Sequence, residues 1–442
     1  MQPTASSKPS NLKAYRGSIL HCLKDPGESR DENAIEYLED GLLLCENGKV
    51  LRTGPAAELL AGLPENTDIN DYSGKLIVPG FIDTHIHYPQ TDIIGSYGEQ
   101  LLQWLEHYTF PAERRFEDPT HAQEVADFFI RELLRNGTTS AQVLATVHPT
   151  SVDAIFNSAQ QYNMRLLAGK VLMDRNAPDF LRDTPQTGYD DSKTLIERWH
   201  GNQRLGYSIT PRFAPTSSEQ QLQLAGDLAR EFPDVFIHTH VAENRDEVAW
   251  VAKLFPWSRS YLDVYDHFGL LRERSVFAHC LHLDSTDLAR IAETDASMAF
   301  CPTSNLFLGS GLFDLDGARE RGIRVGLATD VGGGTSFSML QTANEAYKVL
   351  QLNGQTLSPF RALYLITLGG AEALHMDDQV GNFLPGKEAD FVVLDPRATP
   401  LMARRTDNSR SIAEKLFAMI ILADDRSVAA TYLMGEPAYE KP

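Results

Sequence analysis

The sequence predicts an α/β protein built on a (β/α)8 TIM barrel, with strands from both chain ends standing beside it. Three observations carry that reading. Between about residues 77 and 378, eight short apolar runs alternate with helical patterns. Both ends of the chain read as strands. Histidines and acids stand at the ends of several runs, where a barrel carries its chemistry. A doubly wound sheet is the alternative arrangement of such units.

Taken in order, residues 1–76 are β-rich. In "IEYLEDGLLLCENGKVLRTG" (35–54) the apolar runs are broken by Asp40-Gly41 and Asn47-Gly48, both hairpin dipeptides. The first barrel run is "VPGFIDTHIH" (78–87). The others are "TTSAQVLATVH" (138–148), "RLLAGKVLMD" (165–174), "LGYSITPRF" (205–213), "DVFIHTH" (234–240), "SVFAHC" (275–280), "SMAFCP" (297–302) and "IRVGLATD" (323–330). Between them "THAQEVADFFIRELLRNG" (120–137) predicts a helix. Thr120 caps it, Val125, Phe128, Phe129, Leu133 and Leu134 form its apolar face, and Asn136-Gly137 ends it. "EADFVVLD" (388–395) and "SVAATYLMGEPAYE" (427–440) are strands again, and 402–412 is the most loop-like stretch. The expected division is 1–76 and 379–442 for the small β-domain, and 77–378 for the barrel.

Composition narrows the function. Asp and Glu number 60 against 40 Lys and Arg, giving a formal charge of −20. Nucleic acid and anionic membranes require a basic face, so neither is an expected partner. The four cysteines form no C-x-x-C pair and no disulfide framework, which suits a reducing compartment. The first twenty residues lack the apolar core of a signal peptide, and no run reaches the length of a membrane span. The expected location is the cytoplasm. "GNFLPGKE" (381–388) fails as a phosphate loop because Glu388 replaces the required Ser or Thr. "TDVGGGTSFS" (329–338) is glycine-rich without dinucleotide spacing and predicts a tight turn after a strand.

The run ends carry the chemistry. His85 and His87 lie two apart on the first strand, so both face the barrel mouth. The fifth run ends in His240, the sixth in His279 and the eighth in Asp330. Histidines with a carboxylate suit zinc with a position left for water, whose pKa the ion lowers toward neutrality. Glu243, three residues after His240, is the candidate general base. A lone histidine at a strand end is usually structural; here the joint pattern carries the metal reading. His238 shares a face with His240, so parity does not choose between them. His240 is preferred for its place beside Glu243, with His238 one layer deeper.

"PGFIDTHIH", "HVAE" (240–243), "FAHC" (277–280) and "ATD" (328–330) resemble the metal-dependent amidohydrolase superfamily across nearly the whole chain. The resemblance implies a barrel with a small β-sandwich domain formed from both termini. "HYPQ" (87–90), "YGEQLLQWLEHYTFPAERRF" (97–116), "ITPRFAPTSS" (209–218) and "CPTSNLFLGSG" (301–311) are similar, more narrowly, to its guanine-deaminating branch. That likeness implies hydrolysis of guanine to xanthine and ammonia. It implies one Zn2+ per subunit on His85, His87, His240 and Asp330, and a homodimer. Glu243, His279 and Asp330 are then catalytic: Glu243 shuttles protons, His279 stabilises charge on the attacking oxygen, and Asp330 helps accept the water proton. Gln90, Arg212 and Phe213 match positions that hold the purine, with His240 and His279 at its reacting end.

Two features separate the chain from neighbouring hydrolases. The fourth run has no lysine to bridge two metals, and Lys170 lies in the run before it, so one ion is expected. The H-x-E and P-C-x-x-C patterns of the cytidine-deaminase fold are absent. The same ligands also accept iron. The alternatives are a zinc hydrolase acting on another aminopurine, a triazine or a chlorinated ring, and a non-catalytic scaffold of the same fold.

Overall fold

The computed structural model describes residues 12–27, 32–65, 67–97 and 100–442. The first eleven residues of the expected N-terminal domain, and Gly98 and Glu99 of the 97–116 block, lie outside them. All eight expected barrel runs form parallel strands: Phe81–His87, Thr138–Leu144, Arg165–Gly169, Leu205–Pro211, Phe236–Val241, Ser275–His279, Ser297–Phe300 and Arg324–Leu327. Most of them are buried on both faces, as parallel strands covered by helices are. The circle is completed between the eighth strand and the first. Thr84 Oγ1 donates to the carbonyl of Leu327 at 3.0 Å, and the Asp330 N–H donates to the carbonyl of His85 at 3.0 Å. The second of these contacts joins two candidate site residues directly.

Both chain ends contribute to a separate seven-stranded sheet. Its order is Glu436–Glu440, Val428–Leu433, Phe391–Leu394, Asp68–Pro79, Leu12–Cys22, Ile35–Glu46 and Lys49–Pro55. Tyr15 and Tyr432 are three strand spacings apart, about 14 Å in a flat sheet. Their rings nonetheless sit 5.0 Å apart. The sheet therefore folds over on itself and encloses Tyr15, Ile77, Phe391, Val393 and Tyr432 as a sandwich core.

Several local expectations are corrected. Asn47-Gly48 makes the predicted hairpin, with φ of 53° at Asn47. Asp40-Gly41 does not turn: the strand Ile35–Glu46 runs through it. Gly41 is instead a site of close approach, since a Cβ there would lie 2.8 Å from Ile19 Cδ1. The helix expected from Thr120 spans Pro119–Arg135, and Asp118 is its cap, accepting from the Thr120 N–H at 2.9 Å. Phe128 is 46% exposed and leaves the predicted apolar face. The loop expected over 402–412 is largely helical: Pro400–Asp407, capped by Thr399, and then a second helix from Ile412. After the eighth strand the glycine-rich stretch turns tightly, as expected. The Asp330 carbonyl accepts from the N–H groups of Gly332 at 3.1 Å and Gly334 at 2.5 Å.

Candidate active site

The pocket lies over the C-terminal ends of the barrel strands. His87, Gln90, Arg212, Phe213, His240, Glu243, His279 and Asp330 line it, so nearly every candidate residue reaches one space. His85 sits just beneath, fully buried. Two of the strand-end residues bend sharply: His279 has φ 71° and Asp330 has φ 48°. A non-glycine residue in this region costs free energy, and such conformations cluster where side chains must be aimed.

The floor is a cluster of nitrogen and oxygen donors. His85 Nε2 is 3.2 Å from Asp330 Oδ1, and His87 Nε2 is 3.4 Å from the same oxygen. His87 Nε2 and His240 Nε2 are 3.1 Å apart. One ligand atom from each of His85, His87 and His240 lies within 4.8 Å of the others, and so do those of His85, His279, Cys301 and Asp330. Burial lowers the pKa of His85, His87 and His240 well below the ordinary value, so their rings are neutral with lone pairs available. His85 Nε2 is buried without a hydrogen-bond partner among the described residues. An orphaned imidazole nitrogen beside a carboxylate and two more imidazoles fits a metal ion. Cys301 is the poorer donor, because burial holds its thiol well above the ordinary pKa and keeps it protonated.

The rings are oriented from behind. His240 Nδ1 donates to the carbonyl of Arg212 at 2.6 Å, which leaves Nε2 as the acceptor facing the pocket. His238 lies behind His85, its Nε2 2.7 Å from His85 Nδ1. That is the deeper layer expected from strand parity. His279 Nδ1 is 2.9 Å from Asn305 Oδ1, with Nε2 turned toward Glu243 Oε2 at 3.5 Å and Asp330 Oδ2 at 3.8 Å. Burial alone would lower the His279 pKa, but the carboxylates of Glu243 and Asp330 outweigh it and raise it. Glu243 is pushed up, chiefly by burial and then by Asp330, while accepting from Ser310 Oγ at 3.0 Å. Glu247, beneath it, is pushed up to about 7 by burial and by Glu243.

The side wall is different in make-up. Arg212 and Gln90 both reach Glu113, a fully buried carboxylate. Arg212 Nη1 donates to both of its oxygens at 2.8 Å, and Gln90 Nε2 donates to Oε1 at 3.4 Å. Phe213, Leu101, Trp104, Leu105 and Leu308 supply apolar surface. Lys170 is engaged elsewhere: its ammonium pairs with Asp183.

The amidohydrolase family model matches residues 76–438. The chain belongs to the amidohydrolase family. Among relatives within it, the chain is 56% identical over 431 residues to guanine deaminase of Escherichia coli (strain K12), covering 97% of this chain and 98% of that one. It is 33% identical over 451 residues to guanine deaminase of Homo sapiens, covering 98% of each. The solved E. coli guanine deaminase superposes with a TM-score of 0.96 over 97% of this chain and all of that one. A crystal structure of guanine deaminase from C. acetobutylicum with bound guanine in the active site gives 0.88 at 28% identity, over 97% of this chain and all of that one.

Sequence reasoning did not single out Glu113, Glu247, Asn305, Ser310 or Trp104. Glu113 lies inside the 97–116 block and Asn305 and Ser310 inside the 301–311 block, both of which resemble the family's guanine-deaminating members. Within those blocks no spacing rule distinguishes an acid that turns inward from its neighbours. His107 and His121 do not line the pocket. His282 does not line it either; its Nε2 is 3.0 Å from the Ser310 carbonyl.

Proposed function

We propose that this amidohydrolase is a zinc-dependent guanine deaminase, converting guanine and water to xanthine and ammonia. The observation that supports it most is that one pocket holds both halves of such a reaction. A donor cluster suited to zinc forms its floor, and a polar edge of Gln90 and Arg212 with an aromatic face at Phe213 forms its side. Relatives that carry the guanine deaminase name cover 97% and 98% of the chain.

His85, His87, His240 and Asp330 would hold one zinc ion per chain, and a bound ion would lower the pKa of a water molecule toward neutrality. Glu243 takes one proton of the attacking water and delivers it to a ring nitrogen, then takes the second from the hydroxyl now on the ring carbon and delivers it to the leaving amine, which departs as ammonia as the carbonyl forms. Its raised pKa, caused chiefly by burial, makes it a better proton acceptor than an ordinary carboxylate. Asn305 holds His279 at Nδ1, so the protonated ring presents its Nε2–H to the oxygen on which charge develops. Asp330 doubles as ligand and secondary acceptor of the water proton. Arg212 donates to the purine carbonyl, Gln90 offers a donor and an acceptor to the same edge, and Phe213 stacks on the ring. His240 and His279 bound the reacting end.

Ammonia release from guanine, adenine, cytosine and an aminotriazine by metal-analysed protein tests this reading. Release from guanine with about one zinc per chain is the expected result. Release from another amine alone would overturn the purine assignment and keep the hydrolytic site. Sedimentation of the same sample tests the homodimer expected from the resemblance. Among the described residues no helix is long and apolar enough to cross a membrane.

A further inference from the structure

We propose that Glu113 cancels the net charge of the pocket wall, so that an anionic oxopurine gains no advantage there over a neutral one and the acidic product is let go. The proposal deepens the guanine reading and rests on it. Glu113 is fully buried and is not among the residues lining the pocket, so it acts through its neighbours as a positioning residue. Both of its oxygens accept from Arg212 Nη1 at 2.8 Å, and the same carboxylate receives Gln90 Nε2 at 3.4 Å. One acid thus fixes both polar groups of the wall. It uses a single nitrogen of the guanidinium fork in doing so.

The electrical consequence follows from burial. Arg212 is 3% exposed and Glu113 0% exposed, so water screens neither charge well. Together they present donors to a ligand with no net charge behind them. Arg212 alone would present the same donors as a cation. That distinction matters to this reaction. Deamination turns an amino-substituted ring carbon into a carbonyl, and a dioxopurine loses a ring proton more readily than guanine does. At mildly alkaline pH the substrate is mostly neutral and the product is partly an anion. A cationic wall would retain that anion, whereas a compensated one gives it no such advantage.

The test compares inhibition by xanthine, the more acidic ligand, with inhibition by hypoxanthine, an oxopurine that stays mostly neutral at mildly alkaline pH. The metal-loaded full chain is used as wild type, Glu113→Gln and Arg212→Gln. Loss of the shared carbonyl contact weakens both inhibitors, so their ratio isolates the effect of charge. Glu113→Gln is expected to move the ratio about tenfold toward xanthine, and Arg212→Gln to move it away by a similar factor. If Glu113→Gln does not fold, the wild-type ratio followed with pH decides: a ratio that moves toward xanthine as xanthine ionises shows an uncompensated cationic wall and overturns the proposal. A ratio unmoved in the folded variants, including equal weakening of both inhibitors, overturns the proposal. A wild-type enzyme that releases no ammonia from guanine fails the functional reading itself. Normal guanine turnover with an unmoved ratio fails only the role of Glu113.

Discussion

The floor of the pocket comes from strand ends, whereas its side wall comes from a 3-10 turn (Tyr88–Ile93), a helix and a strand exit brought together at a distance. His85, His87, His240, His279 and Asp330 stand where four parallel strands finish, and the barrel fixes their spacing before any side chain is chosen. In the wall, Arg212 meets a Glu113 that lies 99 residues away in the chain, on the short helix Phe110–Arg114. The floor is positioned by backbone geometry and the wall by a buried ion pair. The two regions meet at Arg212: its carbonyl orients His240 in the floor while its guanidinium builds the wall. Damage to the floor should therefore abolish chemistry at constant fold, and damage to the wall should cost both substrate use and stability.

The largest expected effect is on the floor. Asp330→Ala removes a carboxylate that lies within 3.4 Å of two imidazoles. It should lose most bound zinc, seen by elemental analysis, and with it turnover by a factor of about 10⁴ or more. Unchanged metal content would remove Asp330 from the ligand set. Glu243→Gln comes next and separates binding from chemistry. Zinc should stay, and kcat should fall by about 10³-fold, within the range attributed to general acid–base groups. Full turnover in this variant would mean that another group moves the proton.

Arg212→Ala tests the wall, with a smaller effect on rate and a larger one on stability. Loss of the carbonyl donor should lower kcat/KM by about 10²-fold. The variant also leaves Glu113 buried without its cation, at a cost of about 3–5 kcal/mol, read as a fall in Tm. Asp330→Ala, measured without metal against the metal-free wild type, should show no comparable fall. If the two variants lose equal stability, the contrast between a backbone-positioned floor and an ion-paired wall is wrong.

The same contrast explains what was legible in the sequence. A period of two along a strand puts His85 and His87 on one face, and short apolar runs at barrel spacing give the ends of the others. These are local rules, so they found the floor. Glu113 is one acid in "PAERRF", and nothing local separates it from Glu117, which stays near the surface. Which carboxylate turns inward is decided by the arginine opposite it, a contact made only in the folded chain. Asp40-Gly41 misled for a related reason. The dipeptide favours a turn, but packing of Ile19 over Gly41 keeps the strand extended. The polar stretch at 402–412 hid a helix because its apolar face is narrow, with Met402 and Thr406 as its buried residues.

The smallest effect is expected at His238, where the floor depends on a side chain that does not reach the pocket. If His85 Nε2 faces a metal, its proton must reside on Nδ1, and the acceptor 2.7 Å away is His238 Nε2. His238 then carries its own proton on Nδ1, which is buried without a partner among the described residues. That orphan is a cost, and it is tolerated because the ring fixes the tautomer of His85. Burial keeps His238 neutral, so it acts as an acceptor and not as a second cation beside the cluster. His238→Leu preserves bulk and removes the acceptor. Zinc affinity measured by chelator competition should weaken by about tenfold, with kcat at saturating zinc changed much less. An unchanged affinity would mean that backbone placement alone orients His85, and the floor would then owe still less to side-chain contacts than the wall does.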